Sequence, residues 1–185
     1  MSRRAELLLL AAITALAAFL RLYRLDALPP GDGHDVAQYG VDALQILAGA
    51  RPVFLESNFG REALFSYLVA LVYRFTGPGA YGIHLTSALI GVATVPAVWL
   101  AARELFREQR ATVLATLPLL AAFLSAVSYW HLNWSRVGLR VILVPLFAAL
   151  IVFALWRGFN TDRPDRWRPP VRSGCGSCPG GQGKG

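Results

Sequence analysis

Several side chains in this sequence are of types that do chemistry, and their spacing narrows what that chemistry is. Asp32, His34 and Asp35 put two carboxylates and an imidazole within four residues. A carboxylate held this way can draw a proton from a hydroxyl as a general base. Arg61 and Glu62 stand side by side further along, and Arg136 and Arg140 bring two guanidiniums of the kind that hold a phosphate. Cys175 and Cys178 form a single CxxC, half of a zinc site with no second pair to complete it. Three candidate ligands within four residues, with no partner elsewhere, make a weak metal site. No cofactor is assigned on these grounds, and a divalent metal has no support beyond that cluster.

Asp35 has two readings. Asp35-x-x-Gln38 has the form of a capping box, in which the carboxylate accepts a backbone N–H bond and does nothing more. Spacing alone favours the cap. A cap does not preclude function, because a helix start also orients a carboxylate.

The elements that position these residues are set by the apolar blocks. Of 185 residues, 55% are hydrophobic and 16% charged, against about 25% charged in an ordinary soluble domain. A net charge of +7 would suggest nucleic acid in a soluble protein. Here the basic residues lie between apolar blocks, where arginine sets topology, so a nucleic-acid partner is not expected and a lipid bilayer is.

The first block, Leu7 to Leu20, has the length of a signal-peptide core, and Ala15-Leu16-Ala17 imitates a cleavage site. Extended through Leu25, it is long enough to span if Arg21 and Arg24 snorkel, and the anchor is the favoured reading. Three further blocks reach spanning length: Ile83–Ala102, Ala111–Ser128 and Val137–Trp156. Ala63–Tyr73 is about half the length needed to cross. Its Leu64, Leu68, Leu71, Val72 and Phe75 recur at helical spacing, which suits a helix lying in the interface.

Arginine placement tests that choice. With Ala63–Phe75 lying flat, the N-terminus, Arg103–Arg110 and the stretch from Arg157 onward lie inside and hold eleven of the 18 basic residues. If it crossed, Arg103–Arg110 and the tail would move outside, against the positive-inside tendency. The expected fold is therefore all-α and integral to the membrane. It has about four spans and a long first outer loop, from about Arg24 to Gly82, holding two short amphipathic helices. The first of these opens at Asp35, with Val36, Gly40, Ala43, Leu44 and Leu47 on one face and Gln38, Asp42 and Gln45 on or near the other. The second outer loop, Tyr129–Arg136, reads as an interfacial aromatic belt. Residues 1–158 form the membrane domain, and 159–185 read as a disordered, low-complexity cytoplasmic tail.

RLYRLDALPPGDGHDVAQYGVDALQIL followed by NFGREALFSYLVALVYRFTG resembles the first outer loop of the GT-C glycosyltransferases. The closest branch is glycosyltransferase family 39, the bacterial relatives of protein O-mannosyltransferases and aminoarabinose transferases. HLTSALIGVATVPAVWLAARELF resembles the next span, and WHLNWSRVGLRVILVPL the following loop and span. The likeness runs from about Ala11 to Trp156. It implies a sugar donor carried on a polyprenyl phosphate and transfer, with inversion, on the outer face of the cell membrane. The N-terminus would then be cytoplasmic.

By this resemblance Asp35 takes the position of the general base and Arg136 that of a cation steadying the phosphate. Arg61, Glu62 and His34 join the substrate-binding set. Two departures matter: Val36 stands where many relatives carry Glu, and near the position after the second-loop arginine where several carry an acidic residue this chain has Arg140 and Val141. The resemblance therefore supplies no second carboxylate and no metal that it would hold. Relatives are several times longer, so the chain is expected to be a truncated or N-terminal portion of such an enzyme. The competing expectations are a non-catalytic module that binds lipid-linked sugar, and a small transporter. The transporter is disfavoured because at mid-membrane the spans offer only Thr86, Ser87, Thr94, Thr116 and Ser125 as polar groups. Sugar and acceptor are left open.

Overall fold

The computed structural model describes residues 2–27, 33–55, 60–107 and 116–161. The described residues are mostly helical. Its helices are α1 (Arg3–Leu22), α2 (His34–Leu47), α3 (Leu64–Thr76), α4 (Ala80–Leu105), α5 (Leu117–Val127), α6 (Tyr129–Val137) and α7 (Leu143–Thr161). A 3-10 turn at Arg140–Ile142 leads into α7, and a two-residue antiparallel hairpin precedes α3. That hairpin pairs β1 (Phe54–Leu55) with β2 (Arg61–Glu62).

Among the described residues, three helical segments are long and apolar enough to cross a membrane: Arg3–Leu22, Ala80–Leu105 and Arg140–Thr161. The surfaces of α1 and α7 are the clearest sign of their surroundings. Leu8 and Phe19 on α1, and Val144, Ile151 and Phe159 on α7, are more than half exposed. Apolar faces this extensive are not left in water. In hydrocarbon they need no cover, and the helix satisfies its own backbone there. The fourth expected block is described over α5 alone, and its start, Ala111–Ala115, lies outside the described residues.

Helix α4 is the axis on which the others pack. It buries Gly82, Ser87, Ala88, Gly91, Thr94, Ala97, Ala101 and Ala102, the small residues that let helices approach closely in a bilayer. At Gly91 an added Cβ would lie 2.6 Å from Ser135 Cβ and 3.1 Å from Arg21 Nε. Only glycine allows α6 and the end of α1 to close on α4 there. Thr86 and Thr94 donate to the carbonyls of Gly82 and Ile90 on their own helix. Their hydroxyls are thus satisfied locally and line no polar path.

Ion pairs and hydrogen bonds fix which helix ends meet. Arg103, near the end of α4, lies 3.8 Å from Glu6 near the start of α1. Asn160, near the end of α7, donates to the backbone and side chain of Glu104. The N-terminus and the ends of α4 and α7 therefore share one end of the bundle. The ends of α1 and α5 and the starts of α4 and α7 share the other.

Helix α3 belongs wholly to that second end. Glu62, just ahead of it, pairs with Arg140 at the start of α7. Tyr73, in its last turn, packs on Gly82 at the start of α4. A helix whose two ends touch the same end of the bundle lies across it, as its length suggests. Phe65, Val69, Ala70 and Tyr73 are buried against α2 and α4, while Leu64, Leu71 and Phe75 face outward.

The last span starts later than its apolar block suggests. Tyr129–Arg136, expected as a loop, lies in the helix α6 (Tyr129–Val137), ended by Gly138 in the left-handed region at φ +82°. The chain turns there, and α7 proper opens at Leu143 rather than Val137.

Single cysteines test this layout in a background with Cys175 and Cys178 replaced by serine. Val53→Cys and Pro78→Cys are expected to react with an impermeant maleimide from one side of the membrane, and Arg107→Cys and Thr161→Cys from the other. Labelling of Val53→Cys and Pro78→Cys from opposite sides would mean that α3 crosses.

Candidate functional site

The end of the bundle that carries α2 and α3 gathers the chemically capable residues. Helix α2 opens at His34, with Gly33 as an N-cap that makes no side-chain bond. Asp35 is therefore the second residue of the helix rather than its cap, and the capping-box reading is replaced by a first-turn carboxylate. It is exposed, as is His34. A carboxylate there sits at the positive end of the helix dipole. The next residue, Val36, is buried, and its Cγ1 lies 3.6 Å from where a Cβ on Gly138 would stand. The start of α2 is thus held against the turn between α6 and α7. Asp32, the third member of the sequence cluster, lies outside the described residues. Among the described residues no group of three His, Cys, Asp or Glu is placed to hold a metal.

The pair Arg61–Glu62 divides its work. Arg61 turns inward to a 3.0 Å salt bridge with Asp42, both side chains being 2% exposed. Its guanidinium also stacks over Tyr39 at 5.0 Å. Asp42 receives a second bond from Gln38 Nε2. Asp42, expected on or near the polar face of α2, is instead at the buried margin of that helix and ties the hairpin to it. Glu62 points outward, more than half exposed, and accepts from Arg140.

Arg136 lies elsewhere. Its guanidinium donates to the carbonyls of Leu20, Arg21, Tyr23 and Arg24, capping the end of α1. Arg24, at φ +47°, is the one described residue other than glycine with positive φ, and these bonds help hold that turn. The carbonyl of Arg136 itself accepts from His84 Nδ1 on α4. Arg21, expected to snorkel, is fully buried. It donates to the carbonyls of Ala17, Ser125 and Ala126 and to His131 Nδ1 at 2.7 Å. That bond places the imidazole proton on Nε2. Burial and the neighbouring Arg21 charge push the His131 pKa down to about 4.

Arg140 is the cation that faces a cavity. It and Glu62 stand at the mouth of an apolar groove of about 640 Å³. Leu64 and the stripe Val144, Phe147, Ala148 and Ile151 line its length. A second groove, of about 400 Å³, lies across the 3-10 turn between Trp130, His131, Trp134 and Pro145. The sequence marks Arg140 as extra positive charge, but its pairing with Glu62 joins residues 78 apart and has no local signal.

No protein-family model, curated protein or solved structure matches this chain.

Two consequences can be measured in detergent. Removing one partner of a buried ion pair leaves an uncompensated charge, so Asp42→Asn is expected to cost about 3 kcal/mol of stability. The double variant Asp42→Leu/Arg61→Met is expected to cost less, by thermal unfolding. His131 binds a proton less readily folded, at about 4, than as a free imidazole at 6.5. The unfolded chain then takes up more protons between these values, so stability is full above about 6.5 and falls as pH drops towards 4. The melting temperature of wild type should decline across that window, and His131→Gln should flatten the decline.

Proposed function

We propose that this chain is a membrane glycosyltransferase, or the N-terminal portion of one. It transfers a sugar from a polyprenyl-phosphate donor to an acceptor hydroxyl. The observation that carries the reading is a coincidence of place. One end of the bundle holds an exposed first-turn carboxylate, Asp35. The same end holds an apolar groove with a guanidinium at its mouth. A lipid-linked sugar needs those two features together: a base near the reacting hydroxyl, and an apolar seat for the carrier ending in positive charge. The likeness of both outer loops to the GT-C enzymes supports the same assignment.

In this mechanism Asp35 draws the proton from the acceptor hydroxyl while that oxygen attacks the anomeric carbon. The bond from that carbon to the lipid phosphate oxygen breaks, and its electron pair leaves with the phosphate. The phosphate departs as a stable anion, so positive charge nearby helps more than a strong acid does. Arg136 brings charge to this end while its N–H groups brace α1, and Arg140 stands at the groove itself. His34, beside Asp35, and the Arg61–Glu62 hairpin complete the rim on which the sugar would rest. The reading places this end on the outer face of the cell membrane and the N-terminus in the cytoplasm, in keeping with the arginine distribution.

Asp35→Asn tests the proposal. Membranes carrying the wild-type chain should transfer sugar from a polyprenyl-phosphate donor, and the variant should lose that transfer at equal protein level, since the side chain is exposed. Transfer unchanged in the variant removes Asp35 as the base. Donor binding without transfer by wild type would make the chain a non-catalytic module that binds lipid-linked sugar.

A further inference from the structure

At the Arg140 end of the larger groove stands a carboxylate that belongs to the protein. Arg140 stands where a chain lying along Val144, Phe147 and Ile151 would end, and Glu62 holds it in a direct ion pair. We propose that Glu62 is a displaceable latch. It occupies the anion position on Arg140 while the groove is empty and yields that position to the phosphate headgroup of a single-chain lipid.

Three features support exchange rather than a permanent brace. The first is exposure: the Glu62 side chain is 59% exposed and that of Arg140 34%, so each reaches solvent without unpacking a core. Exposed pairs of this kind contribute little, and a charge-assisted bond to a bound phosphate can exceed them.

The second is the contrast with the neighbouring pair. Arg61–Asp42 is 2% exposed on both sides and pins the hairpin to α2. Glu62 can therefore swing at its side chain while the backbone that carries it stays in place.

The third is the shape of the groove. Its lining along α7 is one stripe at helical spacing, about 10 Å long at 1.5 Å per residue from Val144 to Ile151. That stripe offers a seat for one hydrocarbon chain, and the single guanidinium at its end complements one phosphate. An isoprenoid phosphate has this form, and a two-chain phospholipid has a second tail to place.

This inference rests on the lipid-linked donor reading, and the test separates the two. Farnesyl phosphate and farnesol are titrated into the full chain in detergent, with tryptophan fluorescence as the readout. Wild type should bind the phosphate more tightly than the alcohol. Glu62→Gln should tighten farnesyl phosphate about two- to fivefold, the factor that about 0.4–1 kcal/mol represents, and leave farnesol unchanged. Arg140→Gln should bring the two ligands to equal affinity. If wild type prefers the phosphate but Glu62→Gln binds it no better or more weakly, the latch is wrong and the donor reading stands. If wild type does not distinguish the two ligands, both fall. Dioleoylphosphatidylglycerol competing as well as farnesyl phosphate would overturn the single-chain assignment.

Discussion

The last carbonyls of a helix have no partner of their own, and near a bilayer water cannot be relied on to supply one. This chain resolves that constraint with two arginines that serve each other's neighbourhood. Arg21, at the end of α1, donates to the carbonyls of Ser125 and Ala126 at the end of α5. Arg136, on α6, donates to the carbonyls that close α1. A guanidinium carries five donors in a planar fork and stays charged, which suits it to several carbonyls at once. Lysine would offer a point charge and no such spread. The two caps join α1, α5 and α6 at one end of the bundle, the end on which the candidate site is built.

The caps also set the position of the last span. With α6 fixed against α1, the chain reaches Gly138, takes a left-handed turn, and enters α7 through Arg140–Ile142. That turn gives Val36 its packing partner and so sets where α2, with Asp35 in its first turn, begins. The same turn puts Arg140 at the head of the groove along α7. Arg136 thus acts as a brace on α1, and Arg140, four residues further on, stands at the groove.

Legibility from sequence tracks the range of each interaction. Spanning segments are readable because length and apolarity are local properties. The flat α3 is readable because it is too short to cross and arginine placement penalises the alternative. Four features escape a sequence reading, and for two of them, Arg21 and Asp42, a distant partner decides the outcome. Arg21 has the look of a residue reaching for the headgroups, yet its acceptors on α5 lie more than a hundred positions away, on residues with no polar side-chain pattern of their own. Asp42 looks like surface on α2 because its partner, Arg61, belongs to another element. Tyr129–Val137 looks like a loop because aromatic and polar residues hide helical periodicity when one face packs and the other meets an interface. Asp35 is misplaced by local chemistry alone: a glycine takes the cap and moves the carboxylate into the first turn.

The hairpin before α3 shows how two residues with no separation in sequence come to differ in freedom. Side chains alternate across a strand, so Arg61 and Glu62 must point to opposite sides of β2. One side is the packed face of α2, where an isolated guanidinium would be costly and Asp42 answers it. The other side opens toward α7, where an ion pair can form and break at little cost. The buried pair supplies the rigidity that the exposed pair lacks. A carboxylate can exchange places with a ligand only if the backbone beneath it does not follow, and the inward arginine is what holds that backbone still.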